Sequence, residues 1–204
     1  MIFNALVLLL LLLSFVLQEF IPAVSIAHYA SLFLPVVFFL TASAATSFPM
    51  MLLMAFVTGF IWDARFLPLA ADRVQMDAGL LSPDAVDQMA LAGGDLSFGI
   101  SIVLFGVMGA LMQGIRPLFK RGRLELPVLM VGVSVFLWLA VQYLLMTFLR
   151  GSVAFSQALW SKAFTDTLLA MLVAPLLFLL LHTLARLTQF EIRYDGLRYN
   201  FNGR

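Results

Sequence analysis

The sequence contains no cysteine and few charged residues. Without a thiol it can form no disulfide, no thiolate nucleophile and no sulfur-ligated metal site. Charged residues make up only 11% of the 204 positions, whereas a typical soluble domain carries about 25%. The net charge of +1 is too small to indicate a nucleic-acid partner. Together these shortages exclude an ordinary soluble domain.

Catalytic and ligand-binding motifs are also missing. There is no G-x-S-x-G, no H-E-x-x-H and no glycine-rich phosphate loop. His28 and His182 stand alone, with no second ligand at metal-binding spacing. We therefore expect a protein that is not an enzyme and that binds no cofactor or metal.

Apolar residues dominate the chain. They form 63% of it, and the mean hydropathy is +1.04. Several runs approach the roughly 20 apolar residues that cross a bilayer. The predicted fold class is all-α, a polytopic membrane bundle of about six transmembrane helices. Residues 1–4 lack the basic side chains of a signal peptide, so the first run is expected to be a retained span.

The apolar runs predict spans at residues 2–20, 25–41, 48–62, 96–115, 126–149 and 164–187. The transmembrane bundle thus covers 1–187, with an extracytoplasmic loop at 63–95 that contains a short helix after Ser82. Asp166 is expected to cap the start of the sixth span. The tail, 188–204, alternates around Asp195-Gly196 and predicts a β-hairpin, with an unordered tail as the alternative.

The basic residues predict the orientation. Eight of the twelve Lys and Arg residues lie in the loop after span four or near the tail. Positive charge in short loops favours the cytoplasmic side, so both termini are expected in the cytoplasm. The loop carries Arg116, Lys120, Arg121 and Arg123. This loop is expected to contact anionic lipid or a cytoplasmic filament. The alternative is that its positive charge only determines the orientation of the protein in the membrane.

Polar residues at the predicted outer side of the bundle have two interpretations. Asp63 and Arg65 either close span three at the headgroup level, with Trp62 as an interfacial aromatic, or face the bundle interior, where an acid has a function. Glu19 has the same two interpretations, and a function becomes more plausible if it faces Arg65 or Arg150.

Small residues recur every four positions along span four, at Gly106, Ala110 and Gly114. Such a face lets a second helix approach closely. The partner would be an internal neighbour or a second protein.

The order of several motifs resembles that of a known family. Span one ends in "LQEFIP", with Gln18 and Pro22, and a second span follows near Pro35. The third span ends in G-F-x-x-D, the fourth opens with Phe-Gly, and the last contains a proline; the residues are Gly59, Asp63, Gly99 and Pro175. Over about residues 2–186 this resembles the bacterial rod shape-determining protein MreD family. The loop after Asp63 and the tail are longer than that resemblance implies.

The resemblance implies a non-enzymatic role in the cell-elongation machinery of the bacterial inner membrane. The implied partners are an MreC-like bitopic protein, a RodA-type glycosyltransferase with its class B penicillin-binding transpeptidase, and an MreB-type actin-like filament. The implied bundle is similar to the substrate-binding subunit of energy-coupling-factor vitamin transporters. The alternative is therefore a small-molecule transport subunit, with an outer pocket lined by Glu19, Asp63, Arg65 or Trp62.

Overall fold

The structure is a computed structural model that describes residues 2–21, 31–76, 99–116, 125–150 and 157–189. Over these residues the chain contains helices and no strand. The six helices are α1 Ile2–Gln18, α2 Leu34–Ala45, α3 Phe48–Met76, α4 Ile100–Ile115, α5 Glu125–Arg150 and α6 Gln157–Leu187. The all-α class is therefore confirmed. The predicted hairpin around Asp195-Gly196 and the helix after Ser82 lie outside the described residues.

Of the described helices, three are long and apolar enough to cross a membrane. Their apolar segments are Phe48–Arg65 in α3, Glu125–Leu145 in α5 and Trp160–Leu187 in α6. The chain is thus a helical membrane protein. α1, α2 and α4 are shorter apolar helices. With 12 residues, α2 is about 18 Å long, well short of the roughly 30 Å hydrocarbon core.

Several helix boundaries differ from the prediction, three of them by seven residues or more. α3 continues to Met76 rather than ending at Trp62, and α6 begins at Gln157 rather than at residue 164. Hydropathy marks the end of an apolar segment, whereas backbone hydrogen bonding continues through the charged residues that follow. α2 begins at Leu34 rather than at residue 25, with Pro35 in its first turn, where a missing N–H costs no hydrogen bond.

α2 lies at the centre of the bundle. It contacts each of the other five helices, and every residue from Pro35 to Thr46 is buried. Its sequence, "LPVVFFLTASAA", is apolar or small on all sides, which is typical of a helix surrounded by protein. Only Thr46 and Ser47 separate it from α3. The other helices therefore form a shell around a short central helix.

Candidate functional site

Side chains of α1 and α6 hold the segment that enters α2. Gln18 Oε1 accepts the N–H of Leu34 at 2.7 Å, and Asp166 Oδ1 accepts the N–H of Ser31 at 2.8 Å. The first N–H groups of a helix have no partner within the helix, and a buried N–H group needs an acceptor from elsewhere in the protein. Gln18 and Asp166 supply such acceptors. We call the end of the bundle where they lie the capped end.

Asp166 does not cap its own helix, so that prediction is wrong. α6 begins at Gln157, which places Asp166 well inside the helix, where its side chain is buried. Its carboxylate serves a segment 135 residues away in sequence. Local spacing could not have indicated that partner.

The start of α4 is held in a similar way by α3. Asp63 Oδ2 accepts the N–H of Gly99 at 2.6 Å. Gly99 has φ of 101°, a left-handed conformation that glycine adopts at little cost. A carboxylate at a helix N-terminus also complements the positive end of the helix dipole. Asp63 is partly buried and engaged with α4, so it differs from both a free boundary charge and an exposed catalytic acid.

Gly59, one turn before Asp63, brings the backbones of α3 and α4 into contact. A Cβ atom built on Gly59 would lie 2.4 Å from the Cα of Ile102 and 2.6 Å from its backbone nitrogen. Only a residue without a side chain fits there. Gly59, Asp63 and Gly99 therefore act together, and we call them the α3–α4 joint. Three of the residues that carry the family resemblance thus hold α3 against α4.

Four aromatic rings fill the bundle interior at the capped end. Phe33, Trp62, Phe105 and Trp138 form this ring cluster, with Trp62 and Trp138 5.2 Å apart between ring centroids. Phe33 lies 5.7 Å from Trp138, and Phe105 lies 5.9 Å from it. The pairs that Trp138 forms with Phe33 and Trp62 are edge-to-face, which is favourable at such distances. Aromatic packing therefore occupies the centre of this end.

Trp62 is only 3% exposed, so its ring faces the bundle interior rather than lipid. The buried face of α3 consists of Met51, Met54, Ala55, Thr58, Gly59 and Trp62, whereas Leu52, Leu53, Phe56 and Phe60 are exposed. The small residues of this segment thus face the bundle, together with two methionines and a tryptophan, and the exposed face carries large apolar side chains. The recurrence of small residues at Ala55, Thr58 and Gly59 was the available signal, and Trp62 continues that row.

Glu19 faces Arg65 across the gap between α1 and α3, and the two form an ion pair and hydrogen bond. Beside this pair is an open groove of about 380 Å³, lined by Phe15, Val16, Glu19, Phe20, Ile61 and Arg65. The groove includes two of the four residues expected around a transport pocket. It lies on the outside of α1 and α3, however, and neither Asp63 nor Trp62 lines it.

The opposite end of α2 is held by α4. Gln113 Nε2 donates to the carbonyl oxygens of Ser43 at 2.6 Å and Thr46 at 2.9 Å. Arg116 Nη1 donates to Thr46 O at 3.0 Å. A cation near the last carbonyls also complements the negative end of the helix. Arg116 of the predicted basic loop thus has a structural partner, while Lys120, Arg121 and Arg123 lie outside the described residues.

The face formed by Gly106, Ala110 and Gly114 points away from the described part of the bundle. Ala110 and Gly114 are exposed, and a Cβ atom built on either glycine meets no described atom within 4 Å. α4 packs internally through Gly109 instead, where a built Cβ would lie 2.5 Å from Met51 Sδ. Of the two partners proposed for the small-residue face, the internal neighbour is therefore not seen.

The remaining candidates are scattered. Pro175 lies inside α6, and His182 is exposed on the same helix. Pro22 and His28 lie outside the described residues. Gln142 is buried, and its Oε1 has no hydrogen-bond partner within the described ranges. Over those same ranges, no three His, Asp or Glu side chains come together as a metal site.

The acidic side chains that the structure describes at the capped end, Glu19, Asp63 and Asp166, all bind groups elsewhere in the bundle. Asp63 and Asp166 accept backbone N–H groups, and Glu19 pairs with Arg65. This arrangement joins separate parts of the bundle. No family model matches the chain, and comparison with curated proteins and with solved structures finds no match.

Proposed function

We propose that this protein is a non-enzymatic scaffold of the bacterial cell-elongation machinery, of the MreD type. In this role it binds an MreC-like bitopic partner and helps regulate lateral peptidoglycan synthesis. The observation that carries the proposal is the α3–α4 joint. Gly59, Asp63 and Gly99 belong to the motifs that resemble the family, and they form two adjacent contacts that hold α3 against α4.

The packed interior favours a scaffold over a carrier. A transport subunit of this kind would need an internal pocket near the capped end. The ring cluster occupies that position, with Trp62 and Trp138 both buried. A protein with a filled centre acts through its outer surface. Many large apolar side chains lie on that surface, as expected for contact with lipid or other membrane helices.

We further propose six membrane spans, similar in arrangement to the transporter subunit fold, with both termini in the cytoplasm of the inner membrane. The contacts support alternating helix directions. α1 ends and α2 begins at the capped end, where Gln18 meets Leu34. α4 also begins there, at Gly99, and ends beside Thr46 at the opposite end. Arg116 lies at that opposite end, which the distribution of basic residues assigns to the cytoplasm.

Gly106, Ala110 and Gly114 are the proposed contact for the partner's transmembrane helix. Their open face permits close approach of a second backbone. RodA-type and transpeptidase components would then be held through the same assembly, and an MreB-type filament would be reached on the cytoplasmic side.

The test is purification of the tagged protein from its native membrane in mild detergent, with mass spectrometry of what is retained. We expect an MreC-like protein and the glycosyltransferase–transpeptidase pair. The Gly106→Leu variant should fold, because its side chain meets open space, but should lose the bitopic partner. Val133→Leu, at an exposed position of α5, is the control and should retain the bitopic partner. Recovery of a transporter ATPase pair would instead identify a transport subunit.

A further inference from the structure

The groove between α1 and α3 combines apolar walls with a pair of opposite charges. Its walls include Phe15, Val16, Phe20 and Ile61, and Glu19 and Arg65 lie on its lining as an ion pair. Glu19 follows the last residue of α1, and Arg65 ends the apolar segment of α3. Charged residues at the ends of apolar segments lie at the headgroup level of a membrane. The groove therefore extends from headgroup depth along the hydrocarbon layer.

We propose that this groove binds one phospholipid with an ethanolamine headgroup from the surrounding membrane. The acyl chain would lie along the apolar walls. The phosphate would bind the Arg65 guanidinium, which has five N–H donors, more than one carboxylate oxygen needs. The ammonium group would donate to Glu19, whose side chain is 62% exposed and therefore accessible.

The charge pattern selects this headgroup over two common alternatives. An anionic glycerol headgroup would gain from Arg65 but would be repelled by Glu19. A choline headgroup has no N–H, so it could not donate a hydrogen bond to the Glu19 carboxylate. Ethanolamine alone among the three offers a phosphate to the cation and a hydrogen-bonding ammonium to the acid. The occupant is thus defined by charge complementarity rather than by the apolar walls.

The experiment is native mass spectrometry of the full chain in detergent, with ethanolamine, choline and glycerol phospholipids of identical acyl chains added in turn. We expect the ethanolamine lipid to be retained about three- to fivefold better than the choline lipid, as for a half-exposed ion pair. Glu19→Gln should reduce that preference to about one. Equal retention of all three lipids by the unaltered chain would overturn the proposal.

Two valine variants test whether the groove is the site where the lipid binds. Val16→Trp fills the groove and should abolish the preference. Val133→Trp on α5 is the control, since Val16 and Val133 are 55% and 54% exposed and only Val16 lines the groove. Equal loss in both variants would refute the groove as the site. A photo-crosslinker at position 16 that captures a protein instead of lipid in native membranes would refute the lipid as its occupant.

Discussion

Replacing Gly59 with alanine tests the α3–α4 joint most directly. The added Cβ would lie 2.4 Å from the Cα of Ile102 and 2.6 Å from its nitrogen. Both atoms belong to the backbone of α4, so no side-chain rotation can relieve the overlap. The two helices must move apart, and that movement also disturbs the hydrogen bond from Gly99 to Asp63.

The size of the effect follows from two opposing contributions. Overpacking costs about 1–3 kcal/mol, and a backbone contact places this variant at the upper end, about 3 kcal/mol. Alanine is better than glycine inside a helix by about 1 kcal/mol. Gly59→Ala should therefore destabilise the protein by about 2 kcal/mol. Any loss of the charged hydrogen bond at Asp63 would add to this value.

Gly106→Ala is the matched control. It places the same methyl group on a helix, where a built Cβ meets no described atom within 4 Å. Only the helix propensity changes, so the control should gain about 1 kcal/mol. The two variants should thus differ by about 3 kcal/mol, which corresponds to about 6–12 °C in Tm for a chain of this length.

Thermal unfolding in mild detergent, followed by tryptophan fluorescence, measures the difference. Trp62 and Trp138 are buried in the ring cluster, so their emission reports loss of the packed interior. Membrane proteins often unfold irreversibly, and all variants must be heated at one scan rate. If Gly59→Ala and Gly106→Ala unfold at the same temperature, the close approach of α3 and α4 at Gly59 is wrong.

Other substitutions separate the remaining contacts. Gln18→Leu removes the acceptor for the N–H of Leu34 at the start of α2 and should destabilise the protein by about 1–3 kcal/mol. Gln18→Glu keeps an acceptor oxygen and should retain most of the stability. Equal Tm values for the two variants would contradict the role of Gln18 as this acceptor. Asp63→Ala should accelerate amide hydrogen exchange at the start of α4 and Asp63→Asn should do so much less, because asparagine keeps an acceptor oxygen; unchanged exchange in both would refute the cap. Gly132→Ala should lower Tm less than Gly59→Ala, because the added methyl meets only the flexible side chain of Met171; a larger decrease would contradict that reasoning.

The helices were predictable from the sequence, but their ends and rotations were not. Long apolar runs indicated six helices, and six are described. The runs could not show that α3 and α6 extend through polar residues, because a helix does not require apolar side chains. The sequence left open whether the end of α3 that carries Trp62 faces the bundle interior, because that depends on how α3 is rotated against α4. That rotation is set by Gly59, a residue that the sequence showed only as part of a motif.

The partners of the polar side chains were the least predictable part. Gln113 drew no attention in the sequence, yet it holds two carbonyl groups near the end of α2. Its partners lie 67 and 70 residues away, and the amide that Asp166 accepts lies 135 residues away. Such pairs arise from packing of the whole bundle. A contact between Glu19 and Arg65 was considered from the sequence, as one that would favour a function for Glu19. The structure brings those two residues together.

The short central helix explains how these polar residues are used. A 12-residue helix that is surrounded by protein leaves backbone groups at both ends without partners inside the helix. Gln18 and Asp166 serve one end of α2, and Gln113 and Arg116 serve the other. A carrier would have to open its interior and so break several of these bonds at each cycle. Because these four residues fix α2 at both ends, we propose that the interior stays packed and that the protein acts through its lipid-facing surface.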